Sequence, residues 1–141
     1  MLSIDPGTVR VGLALSDEDR VLATPRGVLD AGDKLRLVAT IVQTCKEEGV
    51  TRILMGLPRH MTGELGAKAN AIIELSRKLA DATGLDVELV DERLTTVEAA
   101  RKLHDDGGRN HKNKKRKPSV GIDAAAAAVL LQGWLDSKRG R

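Results

Sequence analysis

The chain has 141 residues, 41% of them apolar, and a formal net charge of +3, so it is long enough for a single domain with its own core over residues 1–141. One Cys, one Trp and no Phe or Tyr exclude an internal disulfide, a thiolate zinc cage and a platform of aromatic side chains for stacking bases. No segment approaches the roughly 20 apolar residues of a membrane span, so we expect a soluble, cytoplasmic protein without membrane contacts.

The first thirty residues predict three antiparallel strands. Apolar residues cluster at 1–5, alternate at about 9–16 and recur at about 21–29, with short turn-rich pieces between them. Pro25 favours an edge position for the third strand, because proline has no backbone N–H to donate. A three-stranded meander is therefore expected.

Helices and buried strands alternate in the remainder of the chain. The first helix is predicted from Asp33 to Glu48 with Gly49 as its C-terminal stop, and its apolar stripe comprises Leu35, Val38, Ile41, Val42 and Cys45. Further helices are predicted at about 62–84, 95–107 and 120–136, and buried strands at 52–55 and 87–90. The order βββαβαβαα predicts an α/β fold, in which helices flank a mixed five-stranded sheet.

Positive charge is concentrated in one segment. Residues 109–117 hold six Lys or Arg and no acid, which leaves 17 basic residues against 20 acidic ones elsewhere. We predict a flexible basic loop at 107–118 that binds phosphates, as in nucleic acid, largely without reading bases. The predicted phosphate contacts are Arg10, Arg59, Arg109, Lys112, Lys114, Lys115, Arg116 and Lys117.

Three apolar runs each end in an acidic residue: one in Asp5, one in Asp91 and Glu92, and one in Asp123. A carboxylate at the rim of a sheet is costly to hold near a core unless a cation or a donor offsets its charge. Carboxylate oxygens suit Mg²⁺ or Mn²⁺. The three positions together indicate a divalent metal site.

Each acid also has a simpler interpretation. Asp5 opens an Asp-Pro-Gly sequence typical of tight turns, and Asp91 with Glu92 fits an exposed acidic turn. Asp123 fits the preference of a helix's first turn for negative charge. No acid taken alone decides between its simpler interpretation and a metal site.

Two periodicities favour the metal site. Asp123 lies on the apolar stripe of its predicted helix, within about 60° of Ala126, Ala127 and Leu130. An acid that only interacts with the helix dipole does not need to point towards the core. Strand side chains alternate, so only one of Asp91 and Glu92 shares a face with Asp5, and we favour Glu92.

Four motifs occur in order along the whole chain: Asp5-Pro6-Gly7-Thr8 with Gly12, Gly56-Leu57-Pro58 with Gly63 and Gly66, Asp91-Glu92-Arg93-Leu94-Thr95-Thr96, and Ile122-Asp123 before an alanine-rich helix. Together they resemble the YqgF/RuvX family. The resemblance implies a ribonuclease H-like fold related to the RuvC resolvases, and activity as a Holliday junction resolvase or a pre-16S rRNA 5′-end nuclease. It implies Asp5, Glu92 and Asp123 as catalytic acids, with Asp91 a further candidate metal ligand.

The expected reaction is hydrolysis of phosphodiester bonds, assisted by one or two Mg²⁺ or Mn²⁺ ions held by these acids. Symmetric cleavage of a junction needs two active sites, so a homodimer is expected. Two alternatives remain. The chain is either a non-catalytic RNA-binding or ribosome-assembly module or, because Asp5-x-Gly7-Thr8 also resembles the phosphate hairpin of actin and sugar kinases, a nucleotide-binding domain.

Overall fold

The computed structural model describes residues 1–58, 64–91 and 118–139. The helix predicted at 95–107, most of the basic loop, Arg59 and Glu92 lie outside these ranges. Within them, no helix combines the length and the apolar character needed to cross a membrane.

Five strands form one mixed sheet in the order β3-β2-β1-β4-β5, which confirms the predicted α/β architecture. The antiparallel meander is formed by β1, β2 and β3, and β4 and β5 continue the sheet parallel to β1. The strand bounds are Leu2–Pro6, Arg10–Ser16, Ala23–Asp30, Arg52–Leu57 and Asp86–Asp91. Because β1, β4 and β5 are parallel, their carboxyl ends lie along the same edge of the sheet, which we call the carboxyl edge.

Pro25 has the position that its missing N–H predicts. It lies in β3, at one end of the strand order, and pairs with Ala14. The register of β2 against β3 shifts between Leu13 and Ala14, so the strand is bulged beside the proline.

Three described helices cover the sheet: α1 (Lys34–Glu48), α2 (Glu64–Thr83) and α3 (Pro118–Arg139). The Asp33 carboxylate caps α1 by accepting from the Arg36 amide, and Gly49 ends the helix in the left-handed conformation with φ 63°. Helix α3 begins at Pro118, two residues before the predicted start, because proline is well tolerated in a first helical turn. It ends at Arg139, three residues after the predicted end.

The buried face of α1 differs from the predicted stripe. Leu35 is 85% exposed, whereas Leu37 is 4% exposed and packs with Ile41 and Cys45 against the sheet. Leu35 lies two residues from Leu37, about 200° around the helix, so the two cannot share a face. The prediction for Leu35 was wrong because a short helix offers two overlapping apolar stripes.

Side-chain alternation divides the core into two layers. Leu2 and Ile4 of β1 pack with α1 and α2, while Leu54 of β4 and Ala14 of β2 pack against α3. We call these sides the α1/α2 face and the α3 face. Each catalytic candidate on a strand can therefore be assigned to one face from its neighbours.

Cys45 allows a test of the packing on the α1/α2 face. Burial raises the pKa of its thiol, although the nearby terminal ammonium of Met1 acts in the opposite direction. The folded protein therefore keeps the proton longer than the unfolded chain does. Its contribution to stability is complete below the ordinary thiol pKa of 9.0 and is lost as the pH rises towards the raised value.

Urea unfolding between pH 7 and pH 10.5 is expected to show this difference. Compared with the Cys45→Ala variant, the wild-type protein should lose stability above pH 9.0, with a slope of up to about 1.4 kcal/mol per pH unit. Equal slopes for the two proteins would show that the Cys45 thiol is not desolvated in the folded state.

Candidate active site

Asp5 lies near the end of β1 and is 2% exposed. Its neighbours Leu2 and Ile4 belong to the α1/α2 face, so alternation places Ser3 and Asp5 on the α3 face. Asp5 is therefore a strand residue rather than part of the turn. The turn itself begins at Gly7, where an added Cβ would overlap the Arg10 carbonyl oxygen.

Gly12 lies directly opposite Asp5 in the antiparallel pair of β1 and β2. A Cβ built on Gly12 would overlap the backbone carbonyl of Asp123 and lie 3.0 Å from the Ala124 nitrogen. The backbone of α3 thus occupies the space that any larger residue would fill. The missing side chain of Gly12 therefore makes room for a helix.

The same contact brings two of the predicted acids together. Asp5 and Gly12 are cross-strand partners on one face, and the Asp123 backbone rests on Gly12. Asp123 is half-buried, near the start of the described side chains of α3. Asp5 and Asp123 therefore lie at neighbouring positions, one from the sheet and one from the helix.

One hydrogen bond fixes the position of α3 along the strand. The Ser3 hydroxyl donates to the Ala127 carbonyl at 2.6 Å in a buried setting. Ser3 lies two residues from Asp5 on the same face, and Ala127 lies one helical turn from Asp123. The pairs Ser3–Ala127 and Asp5–Asp123 are thus successive contacts of a helix that runs antiparallel to β1.

Small side chains make this close packing possible. Ala126 and Ala127 are fully buried against the sheet, and Ala14 on β2 is fully buried opposite them. The alanine run thus gives α3 a slim side that approaches the sheet closely. Sequence analysis missed the role of Ser3, although its two-residue spacing from Asp5 placed it on the same face.

Asp91 lies on the other side of the sheet from Asp5. Val87 and Leu89 of β5 pack on the α1/α2 face, whereas Val90 packs against α3 and Glu88 accepts from the Trp134 indole at 3.1 Å. Alternation therefore assigns Asp91 to the α1/α2 face. Glu92, the acid favoured from the sequence, lies outside the described residues.

Arg10 begins β2 and shares the α3 face with Gly12 and Ala14. Its side chain thus lies on the same face and near the same edge as Asp5. The other predicted phosphate contacts, Arg59 and the basic residues of the loop at 107–118, lie outside the residues that the structure describes.

The donors at this site suit a hard divalent cation. A buried carboxylate on a strand and a second one on a helix offer oxygen ligands from rigid elements, which is the chemistry that Mg²⁺ and Mn²⁺ favour. Within residues 1–58, 64–91 and 118–139 no three His, Cys, Asp or Glu side chains are grouped closely enough to hold an ion. Glu92, the third predicted ligand, lies outside these ranges.

The sequence matches one protein family over nearly all its length. The family model described as "RuvX: Holliday junction resolvase" matches residues 1–137. A Chloroflexus aurantiacus protein named "Putative pre-16S rRNA nuclease" is 38% identical over 139 residues, covering 99% of this chain and 88% of the relative. A Mycobacterium ulcerans protein of the same name is 42% identical over 142 residues, covering 98% of this chain and 79% of the relative.

Solved structures with the same fold include RuvC. Thermus thermophilus RuvC in complex with a Holliday junction substrate superposes with a TM-score of 0.62 at 17% identity, covering 99% of this chain and 96% of RuvC. A second T. thermophilus RuvC structure gives a TM-score of 0.59 at 17% identity. At this identity the similarity establishes the ribonuclease H-like fold and nothing finer.

Proposed function

The chain belongs to the RuvX family of Holliday junction resolvases, and on that premise we propose that it is a divalent-metal-dependent endonuclease acting on structured nucleic acid. It hydrolyses phosphodiester bonds in branched DNA, at the 5′ end of precursor 16S rRNA, or in both. It acts in the cytoplasm, where those substrates occur.

The convergence of Asp5 and Asp123 through Gly12 is the observation that carries the proposal. Placing a buried carboxylate beside that of Asp123, in the second turn of α3, costs electrostatic energy, since like charges repel in a poorly solvated site. A divalent cation offsets that cost. The Asp-Pro-Gly turn alone would require neither the burial of Asp5 nor the approach of α3.

The proposed metal ligands and catalytic residues are Asp5, Glu92 and Asp123. When bound, one or two Mg²⁺ or Mn²⁺ ions would supply Lewis-acid stabilisation of the phosphate and activation of water. Asp5 orients this site from the rigid centre of the sheet, and the packing of α3 on Gly12 holds Asp123 in register with it. The assignment of Asp91 to the opposite face supports Glu92 as the third acid.

Backbone phosphates are proposed to bind to Arg10 beside the acids, to Arg59, and to the basic residues 109–117. Arg10 lies on the same face as Asp5, so it would position the strand that is cut. Contacts of this kind give affinity that depends strongly on salt and little on base identity. A two-fold dimer would place two such sites on the two strands of a junction.

Neutralising four cations of the loop tests its contribution. Changing Lys114, Lys115, Arg116 and Lys117 to Gln should lower the magnitude of the slope of log K against log salt by about 3, if all four contact phosphates. Fluorescence anisotropy at salt concentrations from about 50 to about 300 mM measures this slope, because binding through phosphates weakens strongly over that range.

The control is the double change of Lys46 and Lys138 to Gln. Both are exposed at the C-terminal ends of α1 and α3, away from the carboxyl edge, and the slope should stay at the wild-type value. A loop variant whose slope equals that of the wild-type protein would remove the loop from the interface.

The function itself is tested by offering both substrates to the same purified protein. A four-way DNA junction and a precursor 16S rRNA fragment are incubated with Mg²⁺, with Mn²⁺ and with EDTA. Metal-dependent cleavage of at least one substrate is expected. Binding of either substrate without cleavage under every metal condition would instead favour the RNA-binding or ribosome-assembly module.

A further inference from the structure

A cavity of about 520 Å³ lies on the α1/α2 face, between the N-terminal half of α1 and much of the length of α2, and beside the β1–β2 turn. Sites for small ligands and single ligand groups commonly measure about 300 to 1,000 Å³, so this volume is sufficient for a nucleotide unit. The cavity is distinct from the Asp5–Asp123 site, which lies on the α3 face.

The lining combines an aliphatic floor with a cationic rim. Val11 and Leu37 form part of the floor, together with Ile72 and Leu75 of α2. Among the described residues, the cavity is lined by three lysines, Lys34, Lys68 and Lys78, and by one acid, Glu74. The charge favours an anionic group, and the floor favours a flat or apolar group beside it.

The cavity reaches the carboxyl edge of the sheet. Gly7 and Thr8, which line it, follow Asp5 by two and three residues. Helix α1 connects β3 to β4 and helix α2 connects β4 to β5, so both run back against the parallel strands and begin at the carboxyl edge. The first residue of α1, Lys34, therefore lies at the edge where β1 ends.

We infer that this cavity receives a nucleotide of the substrate strand, displaced from its base-paired stack next to the cleavage site. Its base packs on the aliphatic floor, and the flanking phosphates pair with Lys34 and Lys68. The inference rests on the proposed function for the identity of the substrate. The described residues of the floor are apolar, so base identity would matter little, in keeping with a nuclease that recognises shape.

Branched DNA and precursor rRNA both favour such a site. Bases at a branch point or at a helix end have lost part of their stacking, so displacing one costs less there than inside a duplex. A pocket for a displaced base would therefore favour binding at a junction over binding along a continuous nucleic-acid duplex. This would give structural specificity to a protein with no aromatic stacking platform.

Filling the cavity is the sharpest test. Ala67 and Ala71 line it from exposed positions one turn apart on α2, so the Ala67→Leu/Ala71→Leu variant adds bulk without disturbing the core. Leucine favours helix almost as well as alanine, so folding should be retained, which thermal melting by circular dichroism checks. The matched control is Ala82→Leu, at an exposed position of the same helix outside the cavity.

The readout is the fluorescence of 2-aminopurine, placed in turn at positions around the branch point and measured in EDTA so that no cleavage interferes. A displaced base should brighten on binding to the wild-type protein and to the Ala82→Leu variant. The cavity-filled variant should lose this signal and bind about 10-fold more weakly. Absence of brightening at every position, or equal brightening with the filled variant, would overturn the inference.

Two further arms separate the sources of the signal. Lys34→Gln with Lys68→Gln should reduce the salt slope by about 1.4, as expected for two contacts to a single strand, and Lys46→Gln should not. A different result would identify a small-molecule site instead. In that case free adenosine monophosphate would bind the cavity, and filling the cavity would leave the affinity for oligonucleotides unchanged. None of these readouts needs hydrolysis. The base-binding cavity can therefore be disproved while the nuclease function stands, and the nuclease function can be disproved while the cavity still binds a base.

Discussion

Replacing Asp5 by Asn is expected to lower the single-turnover rate of cleavage by at least about 10³-fold, because a residue that acts as part of a catalytic unit cannot be removed without losing most of the unit's effect. Asn keeps the shape of the side chain but removes the charge that would bind the cation. Asp5 is 2% exposed on a central strand, so removing its charge also lowers the cost of burying it. The melting temperature of the variant checks that it still folds.

Asp91→Asn is the matched control for this loss. Asp91 also ends a parallel strand at the carboxyl edge, but it lies on the α1/α2 face with Leu89. Its rate of cleavage should remain within a few-fold of the wild-type rate, as for an acid outside the catalytic unit. Equal losses of activity for the two variants would show that the face of the sheet on which an acid lies does not decide its role. The assignment of Glu92 as the third acid would then fail as well.

Replacing Gly12 by Ala is expected to displace α3. The added Cβ would overlap the Asp123 carbonyl, and backbone on both sides leaves little room to relax. Overpacking of this kind costs about 3 kcal/mol, which lowers the melting temperature by about 10 °C for a domain of this size. Because Asp123 moves with the helix, the rate of cleavage should also fall by about 10²-fold.

Gly32→Ala separates this effect from the general cost of adding a methyl group. A Cβ at Gly32 would meet only the carboxylate of Asp30, whose Oδ1 atom lies 3.2 Å away on an exposed side chain. Melting temperature and cleavage should both stay near their wild-type values. If Gly12→Ala also retained wild-type cleavage, the contact between β2 and α3 would not position Asp123.

Much of the fold was predictable because local patterns and tertiary structure agree. The alternation of β1 and β2, the missing N–H of Pro25 and the cap pair of Asp33 and Gly49 each specify local geometry that the whole protein retains. Asp5 and Asp123 were identified as neighbours for a related reason. A buried strand end and an inward helix position are both visible in the spacing of apolar residues.

The rest depended on contacts between distant segments, which periodicity does not contain. Only the packing of α3 shows why residue 12 is a glycine, because the helix backbone occupies the space of its side chain. Leu35 was assigned to the core because nothing local distinguishes its stripe from that of Leu37. Lys34 and Lys68 lie on different helices, and only the fold brings them to one cavity.

The central claim is that Asp5, Glu92 and Asp123 act as one metal-binding unit. Single-turnover cleavage by Asp5→Asn, Glu92→Gln, Asp123→Asn and the triple variant, each with saturating Mn²⁺, tests it most directly. We predict that every single variant loses nearly as much activity as the triple variant, because a unit that lacks one member no longer functions. Losses that multiply independently, or one variant that retains the wild-type rate, would contradict the claim.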